Sequence, residues 1–173
     1  VFALTHRAVL KRIPAILQEY SGTYTLRVAG LADASALATF FAEQPEEAFK
    51  FFKPHAFDEK TLSKIIRNRA FLTFLVLDGE NIVGYFFLRC FVNGKCFKGY
   101  MVADAYRGRG IAKLEGIAMN KVNEALGLRM FGSISPENFA SMASAKSVNE
   151  VKILETLENG DFYVEFLPKA VNG

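Results

Sequence analysis

The chain has 173 residues, 51% of them hydrophobic and 23% charged, with a formal net charge of +3. That length suits one domain with a sizeable core, and the composition excludes a disordered or low-complexity chain. The small, scattered positive surplus excludes a nucleic-acid groove, and no apolar run is long enough to span a bilayer.

Within residues 1–20, Val9, Ile13, Ile16, Leu17 and Tyr20 recur at helical spacing and predict an amphipathic helix perturbed by Pro14. His6, Arg7, Lys11 and Arg12 interrupt the apolar positions that a signal peptide would need. This segment reads as an N-terminal helical extension, with a single domain over 21–170. Tyr24 to Val28 then predicts a strand, and Leu31 to Ala42 a helix with Asp33 near its start. Of the 17 Phe residues, Phe49, Phe51, Phe52 and Phe57 crowd one segment and are expected to line a cleft. Asp58 is placed to cap a helix running to about Asn68.

Three strands follow. Phe71 to Leu77 turns at Asp78-Gly79 into Ile82 to Phe91, which turns at Asn93-Gly94 into Cys96 to Val102. Connections this short make an antiparallel meander. A two-residue Asn-Gly turn would place Cys90 opposite Phe97 and Cys96 opposite Phe91. The two sulfurs would then point to different faces of the sheet, unable to bond, which fits a reducing cytoplasm.

From Ile111 to Leu126, Ile111, Leu114, Ala118, Val122 and Ala125 form one apolar helix face, and Gly127 is a natural stop. Arg129 to Ile134 is a strand that a full helix separates from the one ending at Val102, so those two can run parallel. Asn138 to Ser147 reads as an Ala/Ser-rich helix. Val151 to Leu157 and Phe162 to Leu167 pair about Asn159-Gly160. The sum is an α/β (α+β) chain of order β-α-α-β-β-β-α-β-α-β-β behind an N-terminal helix. It predicts a mixed, mostly antiparallel sheet of about seven strands with helices on both faces.

The segment from Met101 to Ala112, Met-Val-Ala-Asp-Ala-Tyr-Arg-Gly-Arg-Gly-Ile-Ala, joins a strand to a helix through small and basic residues. Free amides at a helix start bind anions, phosphate above all. Gly108 and Gly110 allow close backbone approach, and Arg107 and Arg109 bring fixed charge. A P-loop reading fails because Lys113 follows Ala112 and precedes Leu114. A Rossmann reading fails because Lys113 stands where the third glycine belongs. Arg107-x-x-Gly110-x-Ala112, by contrast, resembles the Arg/Gln-x-x-Gly-x-Gly/Ala signature of the GNAT superfamily of acyl-CoA N-acyltransferases. The order of elements from Tyr24 to Leu167 is similar to that fold as well.

The resemblance implies acetyl-CoA as acyl donor. Met101, Val102 and Ala103 would offer main-chain groups to the pantetheine arm, and Arg107, Gly108, Arg109, Gly110, Ile111 and Ala112 would hold the pyrophosphate. Asn138 and Ser141 have the spacing of residues that contact the arm or nucleotide in the family, although an Asn and a Ser at a helix start also cap it without a ligand. The implied reaction is direct attack of a neutral amine on the thioester. Two departures stand out: Ala145 occupies a position where many members carry Tyr, and the strand Cys96 to Met101 lacks the Glu that often serves as base.

Glu46, Glu47 and His55 are the remaining candidates for base, and Tyr100, Tyr106 and Tyr163 for acid. Each has a bland alternative as a core or solvated residue. His55, Tyr100 and Tyr163 carry the catalytic expectation. The implied partner is a small-molecule primary amine, an amino sugar for example, bound against Phe49 to Phe57, where few carboxylates would grip a polybasic peptide. Neither nucleic acid nor membrane is expected as a partner, and a homodimer is implied only by family analogy. Two His and two Cys at scattered positions give no metal-ligand spacing. Alternative readings are a catalytically silent CoA-binding module, a protein N-terminal or lysine acetyltransferase, and a domain whose glycine loop serves another nucleotide.

Overall fold

The computed structural model describes residues 1–169, so the expected domain limit at residue 170 lies outside the described residues. The helices are α1 (Phe2–Thr5), α2 (Arg7–Tyr20), α3 (Ala34–Ala42), α4 (Glu59–Arg67), α5 (Ile111–Leu126) and α6 (Phe139–Val148). The strands are β1 (Thr25–Val28), β2 (Phe71–Asp78), β3 (Asn81–Cys90), β4 (Lys95–Val102), β5 (Arg129–Ile134), β6 (Asn149–Thr156) and β7 (Phe162–Pro168). They form one seven-stranded sheet in the order β1-β2-β3-β4-β5-β7-β6. The pair β4 and β5 is parallel and the others are antiparallel.

Successive residues of a strand face opposite sides of the sheet. On β3, Tyr85 meets Phe41 of α3 with ring centroids 5.1 Å apart, while Gly84 lies under Glu115 of α5. Helices therefore cover both faces. Pro14 sits inside α2, whose Ile13 and Leu17 are buried in the core shared with the sheet. The helix expected from Leu31 begins as a 3₁₀ turn over Leu31–Asp33, where the Asp33 carboxylate accepts the Gly30 amide at 2.7 Å and pairs twice with Arg27. Asp58 caps α4 by accepting the Thr61 amide at 2.9 Å. Among the described residues, no helix is long and apolar enough to cross a membrane.

Two expectations are corrected. Between β3 and β4 the turn has three residues, Val92 to Gly94, inside the bond by which the Phe91 amide donates to the Lys95 carbonyl at 2.9 Å. A two-residue Asn-Gly turn needs positive φ at Asn93, but among the described residues only glycines take it; Gly94, at 82°, does. The register accordingly slips by one, so that Cys90 stands directly opposite Cys96, both thiols buried and free on the same face. The apolar face of α5 is likewise rotated. Glu115, Met119 and Leu126 are buried, while Leu114 and Ala125 are only half-buried.

Candidate functional site

The last paired residues of β4 and β5 are Phe97 and Phe131. Beyond them both strands continue, to Val102 and Ile134, without pairing to each other, and the space between them is a cleft of about 1600 Å³. Its walls include Lys98 to Val102 on one side, Gly132 to Ser135 on the other, and Arg107, Gly108, Gly110, Ala112 and Lys113 at one end.

Which backbone groups face this cleft follows from register. The Ala103 amide donates to the Val83 carbonyl at 2.8 Å, and the Phe91 amide to Lys95. Hydrogen-bonded and non-bonded pairs alternate in an antiparallel ladder, so Phe97, Gly99, Met101 and Ala103 spend their polar groups on β3. Lys98, Tyr100 and Val102 present theirs to the cleft. Of the three main-chain residues expected there, Val102 faces the opening; Met101 and Ala103 are buried against β3.

At the end of the cleft, Gly108 and Gly110 take φ of 76° and 82°, in the left-handed region open to glycine. No side chain caps α5, and the Gly110 carbonyl is first used by the Leu114 amide at 3.1 Å, which leaves the amides of Ile111, Ala112 and Lys113 without helical partners. The Ile111 side chain is buried and holds this turn to the core. Arg107 lines the cleft and is exposed, its link to Asp104 a surface pair at 3.4 Å. Arg109 instead lies over the Tyr106 ring, 4.4 Å from its centroid, and the Tyr106 hydroxyl donates to Asp78 at 2.7 Å. The loop is thus tied to the turn between β2 and β3, and the charge of Arg109 is turned away from the lining.

Asn138 and Ser141 both line the cleft. Asn138 also caps α6, accepting the Ser141 amide at 3.1 Å. The Tyr100 hydroxyl shares a hydrogen bond of 3.4 Å with Ser141 Oγ on the cleft wall. Tyr163 lies on β7 outside the lining, stacked on Phe131 at 5.6 Å, and burial raises its pKa.

His55 is packed among the rings of Phe41, Phe57, Phe71, Tyr85 and Phe87 and does not line the cleft. A carbonyl only accepts, so Nδ1, 2.7 Å from the Ala56 oxygen, carries the proton. Nε2 then accepts from the Tyr85 hydroxyl at 2.8 Å, which occupies the lone pair a base would use. Burial lowers the His55 pKa, against a smaller opposite pull from the Ala56 hydrogen bond. Native His55 therefore favours the neutral ring, a stability contribution present above the ordinary value of 6.5 and lost as pH falls through the folded value. His55→Gln, which removes the titration, is expected to lessen the loss of Tm below that pH. Parallel melting curves for the two proteins across the range would contradict it.

Phe51 and Phe52 line the cleft as expected, whereas Phe49 and Phe57 pack on each other at 5.0 Å below it. This half of the cleft carries Lys50, Lys53 and Arg89 against one carboxylate, Glu47. Two functional candidates not legible as such in the sequence are Lys98, a charge in the middle of β4, and Glu115. Helical spacing could have found Glu115, since it falls with Ile111, Ala118 and Val122 on the buried stripe.

No protein-family model matches the chain, and no curated protein does either. Its fold is nevertheless that of solved GNAT structures. The GNAT domain of S. lividans PAT is 18% identical with a TM-score of 0.73, covering 84% of this chain and 90% of that one. RimL, a ribosomal L7/L12 alpha-N-protein acetyltransferase solved in complex with coenzyme A, is 16% identical with a TM-score of 0.71, covering 86% and 96%. A chimera of the spermidine N-acetyltransferase SpeG from Vibrio cholerae and hSSAT is 20% identical with a TM-score of 0.63, covering 85% and 96%.

Proposed function

We propose that this chain is an acetyl-CoA-dependent N-acetyltransferase acting on the primary amine of a small molecule. The observation that carries this reading is the parting of β4 and β5 into a cleft that runs from unpaired strand edges to the free amides of α5. An extended arm with its own amides pairs naturally with such an edge, and a pyrophosphate with such a helix start. The Ile111, Ala112 and Lys113 amides and the Arg107 charge would hold phosphate, and Tyr100 and Val102 would pair with the arm. Asn138 and Ser141 would border it.

A neutral amine then attacks the thioester carbonyl, the C–N bond forms as the C–S bond breaks, the nitrogen releases its extra proton to solvent, and the departing thiolate takes a proton from an acid. Of the three residues expected to act, Tyr100 is the one whose hydroxyl reaches the cleft wall, and we assign it the acid role. His55 and Tyr163 support the aromatic packing. RimL and SpeG, by their names, act on a protein terminus and on spermidine. A small acceptor is favoured here by the aromatic half of the cleft, whose cations outnumber its carboxylate and would repel a polycation. The missing β4 carboxylate and Ala145 favour a silent CoA-binding module as the second reading. The reading extends to a cytoplasmic, reducing setting, supported by the opposed free thiols of Cys90 and Cys96. It also extends to a homodimer, for which edge strand β6 exposes Ile153 and Leu154.

Thermal unfolding with acetyl-CoA, CoA, ATP and NAD tests the cofactor. At a hundredfold excess over Kd, a native-state ligand adds about 2.7 kcal/mol, a rise of roughly 5–10 °C for a chain of this size. That rise is expected with acetyl-CoA and CoA alone. A shift with ATP or NAD instead would overturn the assignment, and CoA binding without turnover of any amine would select the silent module.

A further inference from the structure

We propose that Lys98 is itself an acetylation site, taking the acetyl group from acetyl-CoA bound in the cleft. The inference rests on the reading of this cleft as an acetyl-CoA site and goes beyond it. Lys98 is the first residue past the last β4–β5 pair, so it stands at the apex where the cleft closes. It shares a sheet face with Tyr100 and Val102, and Val102 lies roughly 13 Å along the strand toward the phosphate loop. An arm anchored at Arg107 to Ala112 and laid along β4 brings its thioester, the far end, toward this apex.

The Lys98 side chain is half-buried, its Nζ 3.9 Å from the centre of the Phe166 ring on β7. It has neither a carboxylate nor any hydrogen-bond acceptor as partner among the described residues. Leu88 faces it on β3, and Gly132 on β5 lets the Phe166 ring lie close beside it. The nearest titratable groups are Cys96 and Tyr100 on its own strand. Burial holds the Cys96 thiol protonated, its pKa pushed up to about 12. Desolvation brings Lys98 down to about 8, so a substantial fraction is neutral amine in mildly alkaline solution.

A neutral amine held beside a thioester reacts without a bimolecular encounter. The Nζ lone pair attacks the carbonyl carbon, the N–C bond forms, the C–S bond breaks, and the ammonium proton passes to the thiolate. The products are Nε-acetyl-lysine and CoA, and neither oxidant nor metal is consumed. The modified side chain has lost its charge and fills the apex, which makes the reaction self-limiting.

The test is incubation of the full chain with acetyl-CoA, followed by intact mass and peptide mapping, with CoA binding followed in parallel by thermal shift. Expected is a gain of one acetyl group on Lys98, blocked by excess CoA, lost in Lys98→Arg, and accelerating as pH rises through about 8. If CoA shifts the melting curve but Lys98 stays unmodified, or label spreads over exposed lysines regardless of CoA, the proposal is overturned while the cofactor reading stands. If neither CoA nor acetyl-CoA binds, both fall together.

Discussion

Gly110→Asp is expected to weaken acetyl-CoA binding by on the order of a hundredfold while leaving the protein folded. A Cβ at Gly110 meets nothing within 4 Å, so the substitution finds space. Its cost to the fold is the left-handed backbone at φ 82°, about 1–2 kcal/mol for an L-residue. The cost to binding is larger. The new carboxylate would stand beside the free amides of Ile111, Ala112 and Lys113, where it competes for those donors and repels a phosphate. Two like charges about 4 Å apart near a surface interact by roughly 4 kcal/mol before salt screening, and a factor of ten in affinity corresponds to about 1.4 kcal/mol. Gly110→Asn carries the same backbone strain without the charge and should lose much less. The comparison is read by calorimetric titration of CoA into both variants, with circular dichroism to establish folding. Unchanged affinity in folded Gly110→Asp would remove the loop from the site.

Glu115→Leu is expected to stabilise the protein at neutral pH by about 1–3 kcal/mol, the penalty for a buried polar group left without a partner. Both carboxyl oxygens of Glu115 are buried with no hydrogen bond among the described residues, and a Cβ on Gly84 would collide with Oε1. Glycine at that point of β3 is what makes room for the acid. Full burial raises the Glu115 pKa well above the ordinary carboxylate value of 4.5. A carboxyl with a folded pKa above its unfolded one contributes stability that is complete below about 4.5 and is lost as pH rises through the folded value. The gain from leucine should therefore be smallest in acid and grow toward alkaline pH. This slope is opposite to that of His55, whose contribution is lost as pH falls, so the two residues can be separated by melting curves across pH. A Glu115→Leu protein less stable than the parent at neutral pH would mean that the carboxyl has a partner, water or ligand, that compensates its burial.

Much of this molecule is legible from local chemistry. α5 ends where Gly127 dictates, in the left-handed conformation expected of a helix C-terminus, and Gly110 at its start takes the positive φ that glycine permits. Asp58 caps α4 as read, and the length of chain between β4 and β5 permits the parallel pairing that opens the cleft. The conformation of the loop before α5 is legible for the same reason. Glycine conformational freedom and a helix start act within a few residues, so sequence order places them together.

The rest depended on how elements meet. An Asn-Gly pair can close a two- or a three-residue loop, and the choice between them moved Cys90 from opposite Phe97 to opposite Cys96. Main-chain direction alternates along a strand, so the pairing of β4 with β3 leaves Lys98, Tyr100 and Val102 to face the cleft. Arg109 looked like a phosphate ligand beside Arg107, but it lies over the ring of Tyr106, which Asp78, distant in sequence, holds in place. His55 looked like a base until Tyr85 and Ala56 occupied both ring nitrogens. By itself the sequence determined the elements, their caps and the glycine-bounded loop before α5, because those depend on near neighbours. Register, burial of Lys98 and Glu115, and the direction of each candidate side chain were decided only by tertiary packing, because each depends on residues that the folded chain brings together from far apart.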